Sequence, residues 1–165
     1  MSDLIWLTEA QMRRIEPYFP LSHGVPRVDD RRIISGIIFV IRNGLRWRDA
    51  PAEYGPHKTI YNRFIRWSRM GVFNRIFAAL AAKGGKRDQS MIDATHNIDA
   101  CIPSKANRKV HIPHDKVLYR QRRKVENMFG KLKDWHRIHT GYDRSAHAFM
   151  SAICIAATVI FWINQ

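Results

Sequence analysis

Cysteine is scarce in this sequence, and its spacing excludes two classes of small protein. Among 165 residues only Cys101 and Cys154 are cysteines, and they lie far apart. They form no CxxC pair and no cysteine and histidine pattern with zinc-ligand spacing. We therefore expect neither a disulfide framework nor a zinc finger, which suits a protein of the reducing cytoplasm.

Signals for export and for membrane insertion are also weak. The N-terminus, MSDLIWLTEAQ, has an early acidic residue and lacks the basic flank and long apolar run of a signal peptide. The C-terminal AHAFMSAICIAATVIFWINQ barely reaches the length of a membrane span, and Ser151 and Thr158 interrupt it. We expect no export and no membrane partner; a buried helix is the favoured interpretation of that segment, and a membrane span is the alternative.

Acidic residues are few relative to basic ones. The chain has 14 aspartates and glutamates against 28 lysines and arginines, a formal net charge of +14, while 45% of its residues are hydrophobic. That composition supports one ordinary folded domain, or two very small ones, with a strong preference for a polyanion. Nucleic acid is the first candidate partner; the alternatives are a basic surface that serves only solubility and a peripheral membrane binder.

The sequence pattern of residues 1–85 predicts a compact module of four helices. Thr8 and Gln11 have capping-box spacing at the start of a short helix that ends near Glu16. A largely buried second helix, DDRRIISGIIFVIRNG, follows a loop rich in glycine and proline. After another loop come HKTIYNRFIRWSRMG, which Gly71 stops, and VFNRIFAALAAK. The pattern resembles a helix-turn-helix module.

The third of these helices is amphipathic in a way that suits DNA. Ile60, Phe64 and Trp67 recur at three- and four-residue steps and predict a buried face. In a major groove, arginine reads guanine, asparagine reads adenine, and other cations hold phosphate. The alternative is an ordinary solvated helix face. The candidate DNA-binding residues are Arg46, Arg48, Lys58, Asn62, Arg63 and Arg66.

Residues 86–165 have a different pattern. QSMIDATH predicts a short strand carrying Asp93, and a loop with Pro103 and Pro113 follows, with room for a second short strand at residues 100–103. A long helix is expected from about Asp115, a plausible N-cap, to about residue 135, and a last helix over about residues 143–162.

One acid in the long helix, Glu126, lies among many bases. At 100° per residue, Tyr119, Arg122, Glu126 and Lys133 fall within about 60° of one another. Val125, Met128, Phe129 and Leu132 form the adjoining apolar side. Glu126 is then either a carboxylate held at the border of a packed face or an ordinary surface acid paired with a nearby arginine.

The spacing Tyr119-x2-Arg122-x3-Glu126-x6-Lys133 resembles the Y-R-E-K signature of IS4- and IS5-type insertion-sequence transposases. The segments LTEAQMRRIEPYFP, RRIISGIIFVIRNGLRWRDAPAEYGPHKTIYNRFIRWSRMGVFNRIF and RKVENMFGKLKDWHRIHTGYDRSAHAFMSAICIAATVIFW are similar to its IS5 group. The resemblance implies a ribonuclease-H-like core with an Asp-Asp-Glu triad. It assigns Asp93 and Glu126 as catalytic and metal-binding residues, and Tyr119, Arg122 and Lys133 as supporting ones.

That family's chemistry explains an acid among bases. Phosphodiester cleavage and strand transfer use two divalent ions, here Mg²⁺ or Mn²⁺, about 3.5 to 4 Å apart and held by carboxylates. Lysine and arginine hold the DNA that those carboxylates repel. The implied partner is the duplex at the element's terminal inverted repeats, and the implied location is the bacterial cytoplasm, on the nucleoid.

The family's second aspartate is missing. Only 32 residues separate Asp93 from Glu126, and none forms the expected Gly-Asp-Arg-Gly-Tyr-Asp motif. We infer an internal deletion with its junction near residues 96–99. Asp99 lies too close to Asp93, Asp115 is better explained as a helix cap, and Asp143 follows the glutamate, so we expect none of them to replace the missing ligand.

The expected fold is therefore mainly α. Residues 1–85 form the helical DNA-binding module, and residues 86–165 are the remnant of the α/β catalytic domain, reduced to one or two short strands and two long helices. Without the missing strands, those helices must pack on each other, on the N-terminal helices or on a second subunit in a homodimer. Three functions stay open: a DNA-cutting transposase, a DNA-binding protein or regulator that does not cut, and a decayed reading frame.

Overall fold

The computed structural model describes residues 3–20, 29–83 and 116–163, which are mainly helical and include no strand. The expected mainly α fold is confirmed for these residues. Short turns of 3₁₀ helix occupy Glu16–Tyr18, Trp47–Asp49 and Ala52–Tyr54, and a wider π turn, Val159–Ile163, continues the last helix. The α-helices are α1 Glu9–Ile15, α2 Asp30–Asn43, α3 His57–Arg69, α4 Val72–Lys83, α5 Lys116–Lys133, α6 His136–His139 and α7 Ala146–Thr158.

The helix ends follow the local signals in the sequence. Thr8 and Gln11 form both bonds of a capping box: the Thr8 amide donates to Gln11 Oε1 over 2.8 Å, and the Gln11 amide donates to Thr8 Oγ1 over 3.2 Å. Gly44 ends α2 with a left-handed φ of 66°, and Gly71 separates α3 from α4 with a φ of 65°. These boundaries were predictable because each depends on a few neighbouring residues.

The strand with Asp93, the second strand at residues 100–103 and the Asp115 cap all lie outside the described residues. The ribonuclease-H-like remnant and the helix-turn-helix assignment stay predictions. The chain divides into two compact units, one of residues 1–84 with 132–165 and the other of residues 85–131.

Helix α2 is the centre of the first unit. Its residues from Ile33 to Ile41 are all buried, which fits a helix that is apolar on nearly every side. Helices α3, α6 and α7 pack around it. Tyr54 attaches the N-terminal segment to this unit. Its hydroxyl donates to the Ile5 carbonyl and accepts from the Ile5 amide, each over 2.8 Å.

Helix α7 packs against the N-terminal helices. It packs most extensively on α4 and also contacts α2 and α3. Ala152 and Ala156 are fully buried, and Ile155 is 4% exposed. Residues 146–163 are long and apolar enough to cross a membrane by length and composition alone, but their burial here fits the core helix favoured from the sequence. Of the three expected ways to cover the C-terminal apolar faces, residues 132–163 show packing on the N-terminal helices.

Replacing Gly44 with alanine should destabilise the first unit more than the same change at Gly71. Both glycines have a left-handed φ, which costs other residues about 1–2 kcal/mol. A Cβ on Gly44 would also lie 2.7 Å from the Cβ of His136, whereas a Cβ on Gly71 would meet nothing within 4 Å. Urea denaturation should place the midpoint of Gly44→Ala clearly below that of Gly71→Ala, and equal midpoints would contradict the close contact at His136.

Candidate nucleic-acid interface

Four polar residues share the exposed side of α3. Lys58, Asn62, Arg66 and Arg69 are exposed, and we call them the basic face. The opposite side of the helix is fixed in the core, since Ile60 and Phe64 are fully buried and Trp67 is 1% exposed. This alternation confirms the predicted buried face and places three of the candidate DNA-binding residues, Lys58, Asn62 and Arg66, together on a rigid element.

Arg63 has a different environment from the other candidates on α3. Its Nη1 lies 3.1 Å from Asp30 Oδ1 of α2, and both side chains are mostly buried. Its guanidinium also lies 5.7 Å from the centre of the Trp67 ring. Arg63 therefore links α3 to α2, and the structure does not bring it onto the basic face.

The two remaining candidates lie in the turn before α3. Arg46 and Arg48 are exposed and flank Trp47; residues 46–49 are called the arginine turn below. Arg46 Nε donates to Asp49 Oδ2 over 2.7 Å, and this hydrogen bond, with the attraction between the two charges, raises the pKa of Arg46. The Trp47 ring packs 4.9 Å from Phe64 of α3, so the arginine turn is attached to the helix that carries the basic face.

A buried arginine holds this turn from the other side. Arg137 is 1% exposed, and its Nε and Nη2 donate to the two carboxylate oxygens of Asp143 over 2.7 and 2.8 Å. Its Nη1 donates to the Leu45 carbonyl over 2.7 Å. The guanidinium lies 4.7 Å from the Trp47 ring centre and 4.3 Å from that of Tyr142. These five residues are called the Arg137 clamp.

Sequence reasoning missed the Arg137 clamp. The structure shows that Asp143 accepts two hydrogen bonds from Arg137, and the expectation that it does not replace the missing metal ligand stays a prediction. The sequence WHRIHTGYD does not itself show that its arginine is buried or that it pairs with the aspartate six residues later.

The candidate catalytic residues are placed only in part. Asp93 lies outside the described residues, as does the side chain of Arg122. Glu126 is exposed on α5, Lys133 is exposed at its end, and Tyr119 is partly covered by Arg123, whose guanidinium lies 6.0 Å from the ring centre. The structure therefore neither joins nor separates Asp93 and Glu126.

The described residues do not by themselves make a metal site. Within residues 3–20, 29–83 and 116–163, no group of three or more histidine, cysteine, aspartate or glutamate side chains could hold an ion. Glu126 alone supplies too few oxygen ligands for Mg²⁺. The magnesium site at Asp93 and Glu126 stays a prediction.

Comparison with known proteins matches this chain to one family model and to two relatives. A family model described as "Putative transposase of IS4/5 family" matches residues 7–77. The uncharacterized protein y4sN of Sinorhizobium fredii is 32% identical over 96 residues, which cover 56% of this chain and 76% of that protein. The uncharacterized 16.2 kDa protein of insertion element IS402 from Burkholderia cepacia is 36% identical over 92 residues, which cover 54% of this chain and 63% of the relative. No solved structure shows a significant match.

Proposed function

The chain belongs to the IS4/5 family of insertion-element transposases, and from this membership we propose that it binds double-stranded DNA at the ends of such an element without cutting it. The observation that carries the proposal is the basic face. Lys58, Asn62, Arg66 and Arg69 are exposed on one side of α3, while the other side is locked in the core.

Helix α3 has suitable dimensions for a recognition helix. Its 13 residues span about 20 Å at 1.5 Å per residue, and a B-DNA major groove about 12 Å wide admits an α-helix. In that placement Arg66 would donate to guanine and Asn62 would form two hydrogen bonds with adenine. Lys58 and the arginine turn would contact phosphates, which position the protein without reading sequence.

The proposal excludes cutting because of the sequence between Asp93 and Glu126. A two-metal site needs carboxylates that hold both ions, and the chain lacks the family's second aspartate. Glu126 and the signature around it are retained, but a site short of one ligand would lose most of its metal affinity. A chain that occupies the element ends without cleaving them would compete with the complete enzyme there.

Fluorescence anisotropy with short labelled duplexes that tile the DNA on both sides of the reading frame would test the proposal. Arg66→Ala should weaken binding to the preferred duplex by about 1–3 kcal/mol and relax the sequence preference, because a base contact is lost. Lys58→Ala should weaken binding to all duplexes alike and reduce the slope of log affinity against log salt by about 1, because a phosphate contact is lost.

Arg13→Ala is the matched control, since Arg13 is an exposed arginine on α1. It should leave the sequence preference unchanged. Equal losses for Arg13→Ala and Arg66→Ala would mean that net charge alone governs binding, and the proposed role of α3 would be wrong.

A further inference from the structure

We infer that the Arg137 clamp is a positioning device for DNA binding: it holds the arginine turn so that Arg46 and Arg48 face the phosphate backbone beside α3. The inference rests on the proposed function. It makes the C-terminal segment a part of the DNA-binding surface, although none of the clamp's own residues from that segment has to touch DNA.

Arg137 holds the backbone at the start of the arginine turn. Arg137 Nη1 donates to the Leu45 carbonyl over 2.7 Å, and that carbonyl belongs to the peptide bond that leads into Arg46. The Arg137 side chain cannot turn away from this acceptor, because Asp143 fixes its other two nitrogens. The bidentate pair thus sets the direction in which the chain enters the arginine turn.

Trp47, which lies between the two arginines, is held from two sides. Its ring packs on Phe64 of α3 at 4.9 Å between ring centres and lies 4.7 Å from the Arg137 guanidinium. An aromatic ring in contact with both cannot rotate freely. Because Trp47 is fixed, its neighbours Arg46 and Arg48 are held in their exposed positions.

The backbone at Gly44 closely approaches α6. A Cβ at this position would lie 2.7 Å from the His136 Cβ, so α6 and the end of α2 are in direct contact. Gly44, Leu45 and Trp47 therefore all meet the segment 136–142, while Arg46 and Arg48 are exposed. Anchored and exposed residues alternate through the turn, as expected of a loop that presents two cations in fixed positions.

A purely structural clamp and a positioning clamp predict different binding data. If the clamp only stabilises the fold, its loss lowers the fraction of folded protein and leaves the contacts of each folded molecule unchanged. If it positions the turn, folded molecules lose the phosphate contacts of Arg46 and Arg48. The salt dependence of affinity distinguishes the two because its slope counts phosphate contacts at about 0.9 each for B-DNA.

The test compares Arg137→Lys with the double variant Arg46→Ala/Arg48→Ala and with the triple variant. Lysine keeps the positive charge but lacks the planar fork of three nitrogens, so its single ammonium nitrogen cannot reproduce the bidentate pair with Asp143 together with the bond to the Leu45 carbonyl. We expect Arg137→Lys and the double variant each to reduce the salt slope by about 1.8, which is two phosphate contacts. In the Arg137→Lys background, removing Arg46 and Arg48 should change neither the slope nor the affinity further.

Tyr142→Leu is the second variant, in case Arg137→Lys does not fold. Tyr142 is 47% exposed, so its replacement should leave the fold intact while it removes one aromatic face from Arg137. It should reduce the salt slope in the same direction and by less. Circular dichroism at the binding temperature identifies which variants are folded.

Several results would overturn the inference. A folded Arg137→Lys or Tyr142→Leu variant with the wild-type slope, or a full further loss from Arg46→Ala/Arg48→Ala in either background, would show that the clamp is structural only. If the double variant binds like the wild type, the arginine turn does not contact DNA, and the proposed role of the basic face is unaffected. If the wild type binds no flanking duplex, the proposed function fails together with the inference.

Discussion

A chain that ends at residue 85 is expected to remain unfolded, although these residues were predicted from the sequence to form a module of their own. The reason is α7, which packs on α2, α3 and α4 of the first unit. Without residues 132–163, the apolar surfaces of those helices would face water. The four N-terminal helices would then lack one side of their core.

The size of the missing contribution supports this expectation. Ile155, Val159 and Ile163 are 4%, 7% and 3% exposed. Burying an aliphatic side chain is worth about 1.5–3 kcal/mol, so these three supply about 5–9 kcal/mol, close to the entire 5–15 kcal/mol stability of a typical domain.

Circular dichroism and urea denaturation of residues 1–85 would measure the effect. The matched control joins residues 1–83 to 132–165 through a flexible glycine and serine linker, which restores the first unit without the second. The control should unfold cooperatively and the short chain should not. Cooperative unfolding of residues 1–85 at the full chain's midpoint would show that α7 is dispensable.

Asp143→Ala is expected to destabilise the first unit by about 3–5 kcal/mol, because it leaves the buried guanidinium of Arg137 without its counter-ion. Arg137 is 1% exposed, and moving its charge into water would break its contacts with Trp47 and Leu45. Urea denaturation monitored by tryptophan fluorescence would report the loss, since Trp47 lies against Arg137.

Asp49→Ala is the matched control for this change. It also removes an aspartate that accepts from an arginine over 2.7 Å, but the Arg46 and Asp49 side chains are 57% and 40% exposed. An exposed pair contributes little, so the denaturation midpoint should not move measurably. Equal effects of the two substitutions would contradict a special role for the buried pair.

The sequence predicted well the features that depend on neighbouring residues. The capping box at Thr8, the left-handed glycine after α2 and the buried stripe of α3 each follow from a pattern within one helix. The mainly α fold follows from the same patterns. The family assignment from the Y-R-E-K spacing and the longer similar segments is confirmed by the comparisons.

The sequence predicted poorly the features that join distant residues. Arg63 and Arg66 look alike in the sequence, but Arg63 pairs with Asp30 and Arg66 is exposed. Likewise, the contact of Arg137 with Leu45 joins residues 92 positions apart. The sequence identifies which residues are basic, but tertiary packing decides which of their side chains are exposed and can contact DNA.

The structure does not test the assignment of Asp93 and Glu126 as catalytic residues. Asp93 and the strand expected around it lie outside the described residues, so the pairing of Asp93 with Glu126 stays a prediction from resemblance. The proposal that the chain binds without cutting depends on the absence of a Gly-Asp-Arg-Gly-Tyr-Asp motif between Asp93 and Glu126.

One measurement tests the central claim most directly: titrate the intact chain against the flanking duplexes in Mg²⁺ over a series of salt concentrations, then examine the DNA strands. We predict preferential binding to one duplex, a slope of roughly −2.7 to −4.5 for three to five phosphate contacts at about 0.9 each, and intact strands. An affinity that changes neither with salt concentration nor with duplex sequence would contradict the claim that the chain binds DNA specifically through phosphate and base contacts. Nicking that Glu126→Gln abolishes would show instead that the chain still cuts.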